Sequence, residues 1–439
     1  MSNSNFRVII VGAGPVGLYV ANALQQANIE FVVLEQEKTV LKPAGQLLFV
    51  WPQTVRLFDQ IGLLAPMQEA AFQLYQKKRT SGIDGRVTTT SNFWGFMREN
   101  HGYPFLLILR SDLVRILYAN LKRRDTHVRT DTQVIDIVPH AHGIHVKAKD
   151  GAVVEGSIVI GSDGVHSETR SLMQRLAIQS TGVDEGNPMQ SSFYGLFGRA
   201  SIDQVKIEPG VLFESRGAGT VIQCSGTRRT LHFVTLTPLP SRVTERIRYN
   251  TEGMETYATS IADVAVCPGV TFREIWKHAD KSTTVLVNQE EGFLSHWHHD
   301  RIVLVGDAVH KVTSVNGLGM TCGLHSAAAL ANELQSLSAA MPHDPTAMLF
   351  NQAFAKYQRI RESECRAIWA AGRSMVREVT RRSRVNWLWD TYFLPWLDME
   401  SFAKGILVSL LLIRYGHILT YIPFDEQGGR ITWVRRCKR

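Results

Sequence analysis

Three glycines, Gly12, Gly14 and Gly17, stand in the spacing G-x-G-x-x-G between an apolar run, Val8–Val11, and a stretch of helical composition, Leu18–Ala27. A first glycine in such a turn permits the sharp bend, a second lets backbone approach a pyrophosphate, and a third lets helix and strand pack closely. The helix start then offers free N–H groups and a positive dipole end to phosphate. The next apolar run, Phe31–Leu34, ends in an acid, Glu35, 23 residues after Gly12. That is the distance at which a carboxylate can accept hydrogen bonds from a ribose diol. The chemistry indicated is dinucleotide binding. The motif alone does not separate NAD from FAD, and in isolation it is also compatible with a structural turn.

Arg301–Thr321 repeats the logic. The apolar run Ile302–Val305 leads to Gly306-Asp307, and Gly317-Leu318-Gly319-Met320 precedes a helix expected over about Leu324–Leu334. A carboxylate at a strand end suits the hydroxyls of a polyol such as a ribityl chain. A helix amino terminus aimed at an electron-poor ring favours the negative charge that develops when a flavin is reduced. The plain alternative is a strand-to-helix turn with a capping aspartate. Two further segments share the pattern. Val159-Ile160-Gly161-Ser162-Asp163-Gly164 runs to a helix start bearing Arg170, and Leu107-Ile108-Leu109 is followed by Arg110. Alone, Asp163-Gly164 reads as a turn; Arg110 reads as a surface charge or as a guanidinium within reach of a pyrophosphate.

Chemistry at these four points requires strands that bring them together. Val8–Val11 is continuously apolar, as expected of a parallel strand buried on both faces, and the strand–helix–strand unit of residues 6–36 implies a doubly wound α/β sheet. The region near 190–290 differs. Gly219–Cys224, Thr230–Leu236 and Thr283–Val287 are β-type runs separated by turn residues, which suggests an antiparallel sheet. Residues 345–395 are helical in pattern. The fold expected is α/β: a Rossmann-like domain (residues 1–75, 105–175 and 290–344) interleaved with a mostly antiparallel β-sheet domain (76–104 and 176–289), and a basic helical carboxy-terminal region (345–439).

Composition supports a folded protein. The 439 residues are 44% hydrophobic and 20% charged, which excludes disordered and fibrous classes. The first 344 residues balance 32 basic against 32 acidic side chains, so the whole net charge of +8 lies in the last 95. The five cysteines are scattered without C-x-x-C spacing, so no disulfide framework or zinc ribbon is expected. His296-Trp297-His298-His299 resembles a metal cluster, but neighbouring side chains diverge, and no metal site is expected. The amino terminus lacks a signal-peptide pattern, and Gly405–Ile413 is too short to span a bilayer. A cytoplasmic protein is expected. Its basic, aromatic stretch 387–424 suits peripheral contact with an anionic membrane. Oligomeric state is not legible, and no motif supports nucleic-acid binding.

These four segments, in this order, resemble the FAD-dependent monooxygenases of the aromatic-hydroxylase type, with the nearest likeness to the fungal branch acting in secondary metabolism. The resemblance covers about residues 7–62, 106–172 and 290–375. It implies FAD as the cofactor, NADPH or NADH as reductant, O2 as co-substrate, and a flavin hydroperoxide that passes one oxygen atom to a lipophilic small molecule. By the same resemblance Glu35 is the adenosine-ribose ligand, Gly45 a flavin-side backbone contact and Arg110 an FAD-contacting arginine. Asp163 helps its segment serve FAD and the nicotinamide donor, Asp307 holds the ribityl chain, and Met320 marks a backbone N–H at the flavin. Ser314, Leu318 and Thr321 depart from the family's usual residues. Substrate groups are expected from the middle sheet, with Tyr194 and Arg199 as candidates for orienting a phenol or steadying an oxyanion; a core aromatic and a surface arginine is the plain alternative. Rival readings are a flavin-dependent halogenase or reductase, for which Trp387-Leu388-Trp389 is the nearest halogenase-like segment, and a non-catalytic FAD-binding protein.

Overall fold

The computed structural model describes residues 6–42, 46–205, 207–217, 219–227, 230–314, 317–341, 344–380 and 408–436. Val8, Ile9 and Ile10 are wholly buried because their strand, Arg7–Val11, lies inside a six-stranded sheet. In spatial order the strands are His298–His299, Ile302–Leu304, Ile158–Gly161, Arg7–Val11, Glu30–Leu34 and Val128–Arg129. All neighbours are parallel except the antiparallel edge strand His298–His299. Both faces are covered, so the strands carry no polar alternation. The helix Pro15–Gln26 starts where Pro15 presets φ and Gly14 sits extended as its cap. It packs against the helices Arg110–Ala119 and Gly319–Ala340. The latter starts five residues earlier than the sequence pattern indicates, because Gly319 to Gly323 lack an apolar period but have tertiary support.

The second sheet has eight strands, in the order His310–Lys311, Val285–Phe293, Gln190–Ser201, Thr230–Val243, Thr220–Gly226, Val211–Gly217, Gln76–Ser81 and Val87–Ser91. One neighbouring pair, Val211–Gly217 with Gln76–Ser81, is parallel; the others are antiparallel. All three β-type runs read from the middle of the chain are strands here, and each extends further than the sequence suggested. One face carries Tyr194 and Leu196 into a separate core with the helices Thr251–Ser260 and Phe272–Lys277. The opposite face carries Phe193 and Phe197.

The helix Ala347–Thr380 ties the two sheets together. Its first part packs on Gly319–Ala340, and its end meets the second sheet, where Val376 joins Phe193 and Leu236. There Arg377 holds both carboxylate oxygens of buried Glu291. Residues 408–415 are helical turns, but most of 416–436 runs as irregular chain laid back on the first domain. Gln60 accepts from the Leu419 N–H at 2.8 Å and donates to the Leu419 and Ile422 carbonyls. Tyr421 donates its hydroxyl to the Ala23 carbonyl at 2.7 Å. Buried Arg56 pairs with Glu426 and stacks on Trp433.

Candidate active site

The glycine turn is fixed by its own backbone. Gly12 adopts φ +101°, a left-handed conformation, and a Cβ placed on Gly17 would lie 2.0 Å from the Gly12 carbonyl oxygen. Only a bare α-carbon fits there. Glu35 is drawn onto the turn: one carboxylate oxygen accepts from the Ala13 N–H at 2.8 Å, the other from the Glu37 N–H at 3.0 Å. Arg110 starts its helix directly after the strand Leu106–Leu109, which pairs with Leu47–Val50. A Cβ on Gly14 would be 3.5 Å from the Arg110 guanidinium, so turn and arginine face each other. Burial lowers the Arg110 pKa, and the carboxylates of Asp307 and Glu35 oppose that shift from two sides. Asp307 accepts from Lys311 Nζ at 2.5 Å. Burial disfavours the lysine's charge, but Asp307 overrides it and raises the Lys311 pKa.

Gly14, Arg110, Asp307 and Lys311 share one cavity of about 870 Å³, and Glu35 sits outside its lining, behind the glycine turn it bonds. The cavity opens at the carboxy ends of the parallel strands, the place where α/β sheets bind their ligands. Gly14, Arg110, Asp307, Gly317, Gly319 and Met320 line one end. The other end runs over the second sheet, between Phe197, Val234, Val285 and Val287 below and residues 246–251 and Met254 beside. Tyr249 donates its hydroxyl to Asn288 Oδ1 at 2.7 Å, and the Asn288 Nδ2 is buried with no partner among the described residues.

Other expected residues sit beside the cavity. Gly306 adopts φ +71° behind it, against Val16. Asp163 is committed to its own segment: it accepts from Ser167 Oγ and from the Thr169 N–H and hydroxyl, the latter two at 3.0 Å. It thereby secures the start of the helix Glu168–Thr181, while its neighbours Ser162, Gly164 and Val165 line the cavity. Arg170 joins this segment to the Asp307 loop by donating to the Val165 and Ala308 carbonyls. Gly45 and Trp387–Trp389 lie outside the described residues.

Neither Tyr194 nor Arg199 lines the cavity. Tyr194 has the wrong parity on its strand; it points to the helix side and contacts Tyr257 edge-on, with ring centroids 4.8 Å apart. Arg199 has the parity of Phe197 but lies further along and is held by Asp280 at 2.8 Å. His310 is buried against Ser326. The histidine run disperses: His296 goes to Glu185, His298 to Asn351 and His299 to Ser180. The residues missed were Lys311, Tyr249 and Asn288. Lys311 was detectable, four residues after Asp307; Tyr249 and Asn288 carried no local signal.

The cavity fits FAD on observations of its own. Thr313 Oγ1 and Ser314 Oγ are buried on its wall with no partner among the described residues. The side-chain-free turn opposite Arg110 leaves the room a pyrophosphate needs. Comparison with known proteins agrees. A model of the FAD binding domain matches residues 5–340. The FAD-dependent monooxygenase srdH of Neurospora crassa is 55% identical, over 98% of this chain and 99% of its own length. This chain belongs to the FAD-dependent monooxygenases. The family is also represented by ausM of Penicillium brasilianum, another FAD-dependent monooxygenase, at 28% identity over 97% of this chain and 89% of its own length. Among solved structures, HpxO of Klebsiella pneumoniae, in complex with FAD and uric acid, superposes with a TM-score of 0.75 at 20% identity, covering 92% of this chain and 96% of that one. That likeness establishes the shared fold. The resemblance read from the motifs is therefore upheld, as is the α/β fold class.

Proposed function

We propose that this monooxygenase consumes NADPH or NADH and inserts one oxygen atom of O2 into a lipophilic secondary metabolite of terpenoid, indole or polyketide type, by epoxidation or hydroxylation. The observation that carries the reading is the single cavity, which joins the cofactor groups to an apolar wall over the second sheet. Bound FAD supplies acceptance of a hydride and activation of dioxygen. The chain's own residues do the rest. Glu35 and Arg110 hold the adenosine and pyrophosphate side, Asp307 holds the polyol, and Lys311 pairs with Asp307 beside it. The helix start at Gly319 and Met320 favours negative charge on the ring system. Phe197, Val234, Val285 and Val287 exclude water from the reacting face.

The test is turnover under labelled dioxygen with prenylated aromatic, indole and terpenoid candidates. The expected result is NADPH oxidation matched by product carrying one labelled oxygen. Asp307→Asn should lower FAD occupancy at 450 nm, with about 10- to 100-fold weaker binding, the cost of one charge-assisted hydrogen bond. Halide-dependent product, or a yellow protein that never oxidises NADPH, would overturn the reading.

Peripheral membrane contact belongs to the same proposal. Leu411 is 68% exposed and Val434 46%, close in sequence to Arg414, Arg430 and Arg436. No helix among the described residues is long and apolar enough to cross a membrane. Co-flotation with anionic vesicles, released by salt, is the expected result; absence of flotation at low salt would remove this part.

A further inference from the structure

A closed polar cluster lies behind the helix that faces the cavity with its amino-terminal end. Cys322 follows Met320 by two residues, and His310 precedes Lys311 by one; Met320 and Lys311 both line the cavity. Cys365 reaches the same point from the long helix Ala347–Thr380. The two sulfurs are 3.2 Å apart, and both side chains are buried. His310 Nε2 lies 4.0 Å from Cys322 Sγ. Arg361 is buried among them, with Nη2 3.4 Å from Cys365 Sγ and 3.9 Å from Cys322 Sγ. Its Nη1 donates to Glu364 at 2.6 Å.

The two sulfurs are not equivalent. Burial resists ionisation of Cys365, but the thiol proton donated by Cys322, the Arg361 guanidinium and the His310 ring outweigh it and hold the Cys365 pKa well below the ordinary thiol value. Cys322, which donates that hydrogen bond in a buried site, is pushed well up. One sulfur is thus prepared as a nucleophile and the other stands next to it as a resolving thiol. His310, Cys322 and Cys365 also offer three ligand atoms within 4.8 Å of one another. A cation there would face the guanidinium at close range, which favours the dithiol reading.

We propose that Cys322 and Cys365 are an oxidisable pair, converted by hydrogen peroxide into an intramolecular disulfide. The Cys365 thiolate attacks one peroxide oxygen and the O–O bond breaks. Hydroxide leaves, takes a proton and becomes water, and Cys365 becomes a sulfenic acid. The Cys322 sulfur then attacks the Cys365 sulfur and displaces the hydroxyl, which leaves as water with the Cys322 proton. Two thiols lose two electrons in all, and one peroxide becomes two waters. Bonded sulfurs sit about 2.05 Å apart, so the pair has only about 1 Å to close. Peroxide is the by-product when a reduced flavin meets dioxygen without substrate. That source rests on the proposed function; the reactivity of the pair does not.

The experiment adds hydrogen peroxide to the full-length, FAD-loaded protein, traps free thiols by alkylation and examines unreduced peptides by mass spectrometry. Expected is a peptide pair linking Cys322 to Cys365, two hydrogens lighter than its separate parts and dispersed by dithiothreitol. In Cys322→Ser the link is lost and Cys365 is trapped by a sulfenic-acid reagent. Should that variant fail to fold, the wild-type peptide map decides alone. Recovery of both cysteines as free thiols, of sulfinic acid at Cys365 without a link, or of stoichiometric zinc in the native mass spectrum would overturn the proposal. Because peroxide is added from outside, failure here leaves the proposed oxygen transfer standing.

Discussion

Gly17→Ala is expected to purify without yellow colour and to melt well below the parent. The added methyl would meet the Gly12 carbonyl oxygen at 2.0 Å and Ser162 Oγ at 2.5 Å. Neither can retreat. The Gly12 N–H is bonded to the Leu34 carbonyl at 2.8 Å, and Ser162 Oγ donates to the Val11 carbonyl at 2.8 Å. Overpacking of this kind costs about 1–3 kcal/mol, and here the displaced atoms form the phosphate-facing turn itself. Gly14→Ala supplies the contrast. Its methyl would stand 3.5 Å from Arg110, in ordinary contact, so that variant should fold normally while holding FAD less tightly. Thermal melts and the absorbance at 450 nm separate the two. A yellow Gly17→Ala protein with an unchanged Tm would show that the turn does not depend on the bare α-carbon.

Stability is expected to fall as the pH drops from about 6.5 towards 4. Burial lowers the pKa of His101 and of His417 to about 4. Burial, with Arg361 beside it, holds that of His325 well below its ordinary value. His325 accepts from the His417 N–H at 2.9 Å, and Glu364 lies 3.6 Å from His417 Nε2 without reversing the shift. In the unfolded chain these imidazoles protonate near 6.5; in the folded chain they stay neutral. The unfolded state therefore binds more protons between those values, and acid favours it. For His101 and His417 the gap between about 6.5 and about 4 corresponds to about 3 kcal/mol each as an upper bound. Above pH 6.5 the curve should be flat on this account. Urea denaturation at pH 7.5, 6 and 5 measures the slope, and equal midpoints at 7.5 and 5 would refute it.

The cofactor half of the fold was legible because its signals are local. Gly12, Gly14, Gly17 and Glu35 lie within 24 consecutive residues, and Val8–Val11, Phe31–Leu34 and Ile302–Leu304 are unbroken apolar runs in the parallel sheet. Asp307 was legible for the same reason. The substrate half was not, because side-chain direction on a strand depends on register. Tyr194 and Phe197 differ by an odd number of positions, so one faces the helices and the other the cavity. Choosing between them required the partners Asn288 and Val285 on the neighbouring strand. Tyr249 and Asn288 meet across 39 residues, and Cys322 and Cys365 across 43. No periodicity within either segment encodes such meetings. Asp163, read alone as a turn residue and only by resemblance as serving FAD and the nicotinamide donor, spends its oxygens within six residues of its own chain.

The return of residues 416–436 to the first domain bears on how the protein is made. Gln60 bonds a segment 359 residues further on, and Tyr421 reaches back 398 residues to Ala23. A ribosome delivers the glycine turn early and the strap that braces its domain much later. Until residue 426 has emerged, Arg56 has no carboxylate partner in Glu426, and the surface that the strap covers stays open to chaperones and to neighbouring polypeptides. Bracing of the domain that carries the glycine turn therefore waits for a segment made about 400 residues after that turn.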